Sequence, residues 1–227
     1  MTRWQQHRQI LIALTFASIC ITLGRFSLDP SAGKRSLATF NFPSVVPLPG
    51  WQLLESFPLA KPLPSPYKFS AIVLSSQKYL YKRDKHQMEI AMQYEASASG
   101  ELQDYFLRWT SVELPQAKQL QFRQQPGIGF YSLFVHKGRS HLATCINPQG
   151  NSTVTKEQFL ANRYTYDFQL QRLLSWLIGE SSLPDKRCLW VHLSVPLKQG
   201  SVEATYPVLE QAWQPWFRWW RDRFPKY

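Results

Sequence analysis

The N-terminal segment contains an apolar run, residues 10–23, with no charged residue. Arg3 and Arg8 precede this run, and a basic segment followed by an apolar one is typical of an export or membrane-insertion signal. The rest of the chain is polar enough to fold in water. We therefore predict that a folded domain outside the cytoplasm follows this segment.

Three interpretations of the run are open: an uncleaved anchor, a cleaved signal and a buried core helix. As a helix, residues 10–23 reach about 21 Å, short of a hydrocarbon core of ~30 Å. An extension to Leu28 is long enough if Arg25 places its charge at the interface. Small residues at a usable spacing for cleavage are scarce, which favours an anchor over residues 1–28.

The position of the run at the extreme N-terminus favours a cytoplasmic N-terminus. The predicted location is therefore the plasma (inner) membrane, as a single-pass protein with its domain in the periplasm. Membrane lipids around the anchor are the first predicted partner.

Charge and composition restrict the partners of the remaining chain. Aromatic residues make up 15% of the sequence, which is enough for a packed core. The net charge is +11, and most of it is spread beyond residue 35. Such a distribution suits an anionic membrane or acidic glycans. Because no nucleic-acid motif accompanies the charge, we expect no nucleic-acid partner.

Residues 29–66 are rich in proline, which excludes a helix and predicts an extended linker that then wraps onto the domain. Trp51, Leu53 and Leu54 within this linker indicate a short strand or an anchoring contact. Residues 67–227 are predicted to form one extracytoplasmic domain. From residue 31 onward, the prolines of this stretch are Pro43, Pro47, Pro49, Pro58, Pro62, Pro64 and Pro66.

The first half of this domain has two hairpin patterns. Apolar and polar residues alternate over 88–95, a half-buried strand whose predicted partner includes residues 78–81, with a charged turn over 83–86. A clearer hairpin pairs residues 130–136 with 141–146 around Gly138. The apolar run 188–195 is the best candidate for a central strand.

Three helices are predicted among these strands. Residues 101–110 place Leu102, Tyr105, Phe106 and Trp109 on one face. A second helix begins with a capping box at Thr155 and is predicted to reach Gly179. The last helix runs from about 201 to 224. Hairpins mixed with helices, without repeated strand–helix–strand units, predict an α+β domain with a mainly antiparallel sheet.

The sequence offers few groups for catalysis. It has no glycine-rich phosphate loop, HExxH, CxxC or GxSxG motif, and its histidines and cysteines lack zinc-ligand spacing. His141 and Cys145 lie about 13 Å apart along one strand, which is too far for proton transfer between them. His192, on another strand, could come closer to Cys145, but nothing in the sequence requires it. We predict no catalytic residues, no metal site and no cofactor. Cys145 and Cys188 form a disulfide or remain two buried thiols.

The C-terminal segment combines tryptophan with arginine. One interpretation is a terminal helix whose aromatic stripe packs on the sheet, and another is an aromatic platform for sugars. A third is a helix at a bilayer interface or against a membrane partner. The stripe comprises Leu209, Trp213, Trp216, Trp220 and Phe224, and the predicted contact residues are Trp216, Arg218, Trp219, Trp220, Arg221 and Arg223.

Three stretches of the chain resemble the cyanoexosortase A system-associated protein family. The first runs from Thr144 to Gly150 and continues through 152–155 and 158–159, and the second comprises 185–190, 192–194 and 196–197. The third comprises Tyr206, Leu209-Glu210, Trp213, Trp216, Trp219-Trp220 and Phe224-Pro225. The order of the motifs and the N-terminal span also agree.

The resemblance implies a partner role in protein sorting. Exosortases are multi-span membrane enzymes thought to cleave and re-attach a C-terminal sorting tail on exported proteins, in bacteria that produce exopolysaccharide. The nucleophilic cysteine belongs to the exosortase, so Cys145 and Cys188 do not inherit that role. We therefore expect a non-enzymatic accessory protein whose partner is an exosortase. The alternative is a glycan-binding module in polysaccharide assembly or export, and a thiol-dependent enzyme is a third, less favoured candidate.

Overall fold

A computed structural model describes residues 3–28, 40–59, 72–84, 86–109, 120–177, 185–197, 202 and 204–225. These residues divide into two units, each considered by itself. The first covers Met1–Ser36 and Phe168–Leu183, and the second covers Leu37–Asp167 and Pro184–Tyr227. The elements, in chain order, are α1 (Arg3–Leu28), β1 (Gln52–Pro58), β2 (Val73–Arg83), β3 (His86–Glu95), α2 (Leu102–Trp109), β4 (Gln121–Gln125), β5 (Gly129–His136), β6 (Arg139–Ile146), α3 (Lys156–Asp167), α4 (Leu170–Leu177), β7 (Cys188–Pro196) and α5 (Tyr206–Arg221).

The first unit contains α1 and α4. α1 has 26 residues and therefore a length of about 39 Å. Its large apolar side chains from Ile10 to Leu23 are exposed, and among the described residues none of its most apolar stretch, within Arg3–Gly24, is buried. The helix is thus long and apolar enough to cross a membrane.

The second unit is built on a seven-stranded antiparallel sheet in the order β1-β2-β3-β7-β6-β5-β4. The α+β class and the antiparallel sheet are confirmed. Both predicted hairpins are present, with Arg83 opposite His86 and His136 opposite Arg139. Lys137 and Gly138 adopt φ values of 46° and 71°, as a two-residue hairpin turn of this type requires.

One face of the sheet packs against α5 and carries the larger core. Met88, Ile90 and Met92 of β3 point to this face, and Leu193 lies opposite Ile90 on β7. The opposite face holds a second apolar cluster, in which Phe106 of α2 and Phe159 of α3 cover Phe134 and Trp190. Because β7 lies at the centre of the sheet and is covered on both faces, its sequence is almost continuously apolar.

The boundary between linker and domain differs from the prediction. Residues 40–59, assigned to the linker that ends at 66, belong to the second unit, and Gln52–Pro58 pairs with β2 as an edge strand. The short strand or anchoring contact predicted around Trp51 and Leu53 is therefore confirmed. Val46 and Leu48 are buried in the larger core, and Trp51 joins them. Pro43, Pro47 and Pro49 precede the paired strand, and Pro58 is its last residue. Proline lacks the N–H that a central strand needs, so these positions are compatible with a strand at the sheet edge.

The predicted second helix is also shorter. Thr155 and Gln158 form the expected capping box, in which each backbone N–H donates to the other's side chain over 3.3 Å. However, α3 ends at Asp167, α4 begins at Leu170, and Leu170 and Leu174 are exposed rather than part of a buried face. The Asp167 carboxylate accepts a hydrogen bond from the Asp185 N–H, which holds the end of α3. The predicted stop at Gly179 lies outside the described residues.

Candidate functional site

Cys145 and Cys188 are joined in a disulfide, with their Cα atoms 5.7 Å apart. Both residues are fully buried on the face of the sheet that α2 covers. β6 and β7 are adjacent antiparallel strands, and Cys145 lies opposite Trp190, two residues along from Cys188. The pairing leaves neither sulfur as a thiolate nucleophile. Cys20 in α1 is exposed and unpaired.

A histidine pair lies on the same face of the sheet. His141 Nδ1 and His192 Nε2 are 2.9 Å apart, and His141 Nε2 lies 3.4 Å from the His136 carbonyl oxygen. If His141 Nε2–H donates to that carbonyl, His192 Nε2–H donates to His141 Nδ1. The rings stack on Phe134, which fixes their planes. The strand register explains the pair, since His192 lies opposite Ala143, diagonal to His141.

An ion-pair network borders the histidines. The Glu89 carboxylate accepts from Lys78 Nζ at 2.5 Å and from Arg139 Nη2 at 3.1 Å. Arg139 also donates to the hydroxyl and the carbonyl oxygen of Ser194. These contacts join β2, β3, β6 and β7. Burial alone raises the pKa of Glu89, but the hydrogen bond from Lys78 and the charges of Arg139 and Lys78 outweigh it and lower the pKa.

The histidine pair is uncharged at neutral pH. Burial lowers the pKa of His141 to about 4 and outweighs the hydrogen bond to the His136 carbonyl, which raises it; the charge of Arg139 adds to the lowering. Burial, followed by the charge of His141 and of Arg139, holds the pKa of His192 well below its usual range. A general base that works near neutral pH needs a pKa near that pH and access to substrate. With lowered pKa values and their ring nitrogens hydrogen-bonded to each other, the two histidines do not fit this role, and the candidate site lies elsewhere.

The aromatic stripe of α5 is buried. Trp213, Trp216, Phe217 and Trp220 have no exposed surface, and the Trp216 ring meets the edge of Tyr79 at 5.4 Å. The prediction of Trp216 and Trp220 as membrane or partner contacts is therefore wrong. A helix with aromatic residues three and four positions apart lays them all on one face, and here that face packs on the sheet.

The other predicted contact residues lie on the outward face of α5 and just beyond it. Arg218, Arg221 and Arg223 are exposed, and Trp219 is half-buried. Arg223 stacks over the Trp219 ring at 4.7 Å and donates to the Trp219 carbonyl oxygen. In this sequence range Asp222 is the single acidic residue, and it contacts Arg221. The C-terminal end of α5 is thus a basic surface with one tryptophan.

A groove of about 610 Å³ runs along this surface. One wall is the segment 47–51, in which the Trp51 N–H donates to the Leu48 carbonyl oxygen and Gly50 has a φ of 75°. Arg83 stacks over the Trp51 ring at 4.5 Å. The groove is lined by Pro47, Leu48, Pro49, Trp51, Pro215, Arg218, Trp219, Asp222 and Arg223, and we call these residues the α5 groove.

The sequence indicated three of the nine residues that line the α5 groove as contact residues, namely Arg218, Trp219 and Arg223. Segment 47–51 was assigned to the linker, with Trp51 in a predicted short strand or anchoring contact. The prolines and Trp51 were the available signal, but which surface they contact depends on the fold. The histidine pair was considered only as a base for Cys145, because two residues 51 positions apart give no local sign of contact.

The motifs that carry the family resemblance are mostly framework. Arg187 donates two hydrogen bonds to the Asp185 carboxylate and a third to the Pro225 carbonyl oxygen. The Asn147 side chain donates to the Asn151 carbonyl oxygen and to Thr153 Oγ1. Together with Cys145, Cys188 and the buried tryptophans, these residues hold the chain in place.

The chain was compared with protein-family models, curated proteins and solved structures, and it gives no match in any of the three. The relation to the cyanoexosortase A system-associated proteins therefore stays a prediction.

Proposed function

We propose that this chain is a non-enzymatic, membrane-anchored accessory protein of an exosortase system. α1 spans the plasma (inner) membrane once with its N-terminus in the cytoplasm, and the second unit works in the periplasm. There it assists the exosortase or its exported substrates, without a cofactor. The observation that carries the proposal is the apolar stretch of α1, which is long enough to cross a membrane and is exposed in the part of the chain that the structure describes.

The described part of the second unit supports a binding role. Its two cysteines form a disulfide, and the pKa values of its hydrogen-bonded histidine pair are lowered, so that both rings are uncharged at neutral pH. The exposed Arg218 and Arg223 and the half-buried Trp219 lie together at its surface, where they line the α5 groove. A disulfide between these cysteines is also consistent with an oxidising compartment such as the periplasm.

The test is co-purification with the exosortase in mild detergent, followed by deletion of the gene. We expect the two proteins to elute together, and we expect exported substrates to keep their sorting tails after deletion. The matched control replaces α1 by an unrelated single-pass helix, which retains the anchoring and tests whether the second unit is the active part. Normal processing in the deletion strain would refute the proposal.

The alternative is a glycan-binding module in extracellular polysaccharide assembly or export. The stripe of α5 is buried and therefore offers no platform of exposed coplanar tryptophans to a sugar. The feature that favours glycan binding is instead the α5 groove, which Trp219 and Trp51 line. Titration of the full chain with polysaccharide fragments distinguishes the two. Saturable binding that Trp219→Ala abolishes would support a glycan role, and no binding would remove it.

A further inference from the structure

We propose that the α5 groove and the exposed arginines beside it bind the anionic phospholipid headgroups of the membrane in which α1 is anchored. This inference rests on the anchoring part of the proposed function. It adds a second membrane contact, made by the folded unit itself. The occupant is the phosphate of a lipid headgroup, with the aromatic and proline side chains at the level of the glycerol region.

Charge complementarity is the first argument. Arg218, Arg221 and Arg223 are exposed within six residues of sequence, with Asp222 as the acidic residue among them. Arg83 does not line the groove, but its guanidinium stacks over the ring of Trp51, which forms part of the other wall. A basic side chain near an anionic leaflet contributes about 1 kcal/mol of attraction, and several act together.

The aromatic and apolar side chains are the second argument. Trp219 is half-buried beside Arg223, and tryptophan prefers the interface between water and hydrocarbon. Val45, which precedes the groove wall, is 62% exposed. Neighbouring Val46 and Leu48 are buried, so the segment is fixed on the domain while Val45 points outward. A rigid basic surface with a few apolar groups is what a headgroup region accommodates.

The point of chain entry is the third argument. Phe40 and Phe42 contact the Trp220 ring at 6.2 and 5.5 Å, and Trp220 adjoins Trp219 in the sequence. The polypeptide therefore joins the folded unit beside the α5 groove. Residues 29–39, which connect α1 to Phe40, span at most about 40 Å when fully extended. A tether of this length is long enough for this surface to reach the lipid around α1.

The experiment uses the full chain in nanodiscs made of neutral phosphatidylcholine or containing about 30% phosphatidylglycerol, an anionic lipid. Hydrogen exchange is measured for peptides covering residues 45–51 and 218–225. In anionic discs at low salt we expect exchange to slow by at least about fivefold, the factor that one kcal/mol of attraction corresponds to. At about 0.5 M salt the effect should be lost, because exposed charges are then screened.

The variant Arg218→Glu with Arg223→Glu removes the attraction and should show equal exchange in both discs. Lys137→Glu with Lys156→Glu is the matched control, since both lysines are exposed and lie outside the groove, and it should keep the wild-type difference. The wild-type comparison of lipids and salt decides the matter even if a variant folds poorly.

Equal wild-type exchange in neutral and anionic discs would overturn the inference. Protection that arises only when the exosortase is added to the discs would also overturn it, and would assign the groove to a protein partner while leaving the proposed function intact. Conversely, lipid protection with normal substrate processing in a deletion strain would keep the inference and refute the exosortase role.

Discussion

At the residue scale, the Cys145–Cys188 disulfide crosslinks residues 43 positions apart across β6 and β7. A crosslink of this length removes unfolded-state entropy equivalent to about 4 kcal/mol. The variant with both cysteines replaced by alanine should lose stability of that order in chemical unfolding. The crosslink therefore stabilises the centre of a sheet whose faces are otherwise apolar.

Mass spectrometry of denatured protein checks the disulfide itself. Alkylation before reduction should label Cys20 alone, and alkylation after reduction should label all three cysteines. Cys20 thus serves as an internal control for the reagent. Three labels without reduction, in protein from an oxidising compartment, would contradict the pairing.

The histidine pair makes stability depend on pH. An unfolded chain protonates a histidine near pH 6.5, whereas folded His141 resists protonation until about pH 4. As pH falls between these values, the unfolded state binds the extra proton, so the free energy of unfolding decreases by up to about 1.4 kcal/mol per pH unit for each such histidine. His192 acts in the same direction.

Chemical unfolding between about pH 7 and pH 4 measures this effect. His141→Gln removes one titrating group and should give a shallower decline than wild type. The pKa of Glu89 is also lowered, so its carboxylate stays charged over most of this range. Its ion pairs with Lys78 and Arg139 therefore weaken only in the more acid part of the range. Parallel curves for wild type and variant would show that His141 does not carry the dependence.

At the element scale, α5 carries tryptophans in two different environments: Trp216 is buried against the sheet, and Trp219 lies on the outward face. Trp216→Ala empties a fully buried site against Tyr79 and Tyr81 and should cost about 3–5 kcal/mol of stability. Trp219→Ala is the matched control on the outward face and should cost about 1 kcal/mol or less. Thermal unfolding monitored by circular dichroism compares the two. Equal losses would contradict the orientation of α5.

Local sequence patterns predicted some elements better than others. The alternation in β3, the turn at Gly138 and the capping box at Thr155 each act within a few residues, so all three were predicted correctly. β4 was missed because Gln121–Gln125 has no apolar alternation and pairs only at the sheet edge. The break after Asp167 was missed because its partner, the Asp185 N–H, is distant in sequence.

At the scale of the whole molecule, α1 should hold the chain in the membrane. After an alkaline carbonate wash, the full chain is expected in the pellet, because α1 is long and apolar enough to cross the bilayer and a spanning helix resists this extraction. A variant without residues 3–28 should move to the supernatant. Intact mass should equal the full 26.5 kDa. A shorter mature product would instead identify a cleaved signal.

The sequence by itself determined the N-terminal apolar helix, the central strand Cys188–Pro196 and the α+β class, because each depends on periodicity or turn chemistry within a short stretch. Only the tertiary structure decided that residues 40–59 join the domain, that His141 meets His192, and that Trp216 and Trp220 face the core while Trp219 faces outward. The physical reason is that strand pairing and helix docking join residues distant in the chain. A stripe of tryptophans indicates burial in some apolar surroundings, but only the packed sheet shows whether those surroundings are protein or membrane.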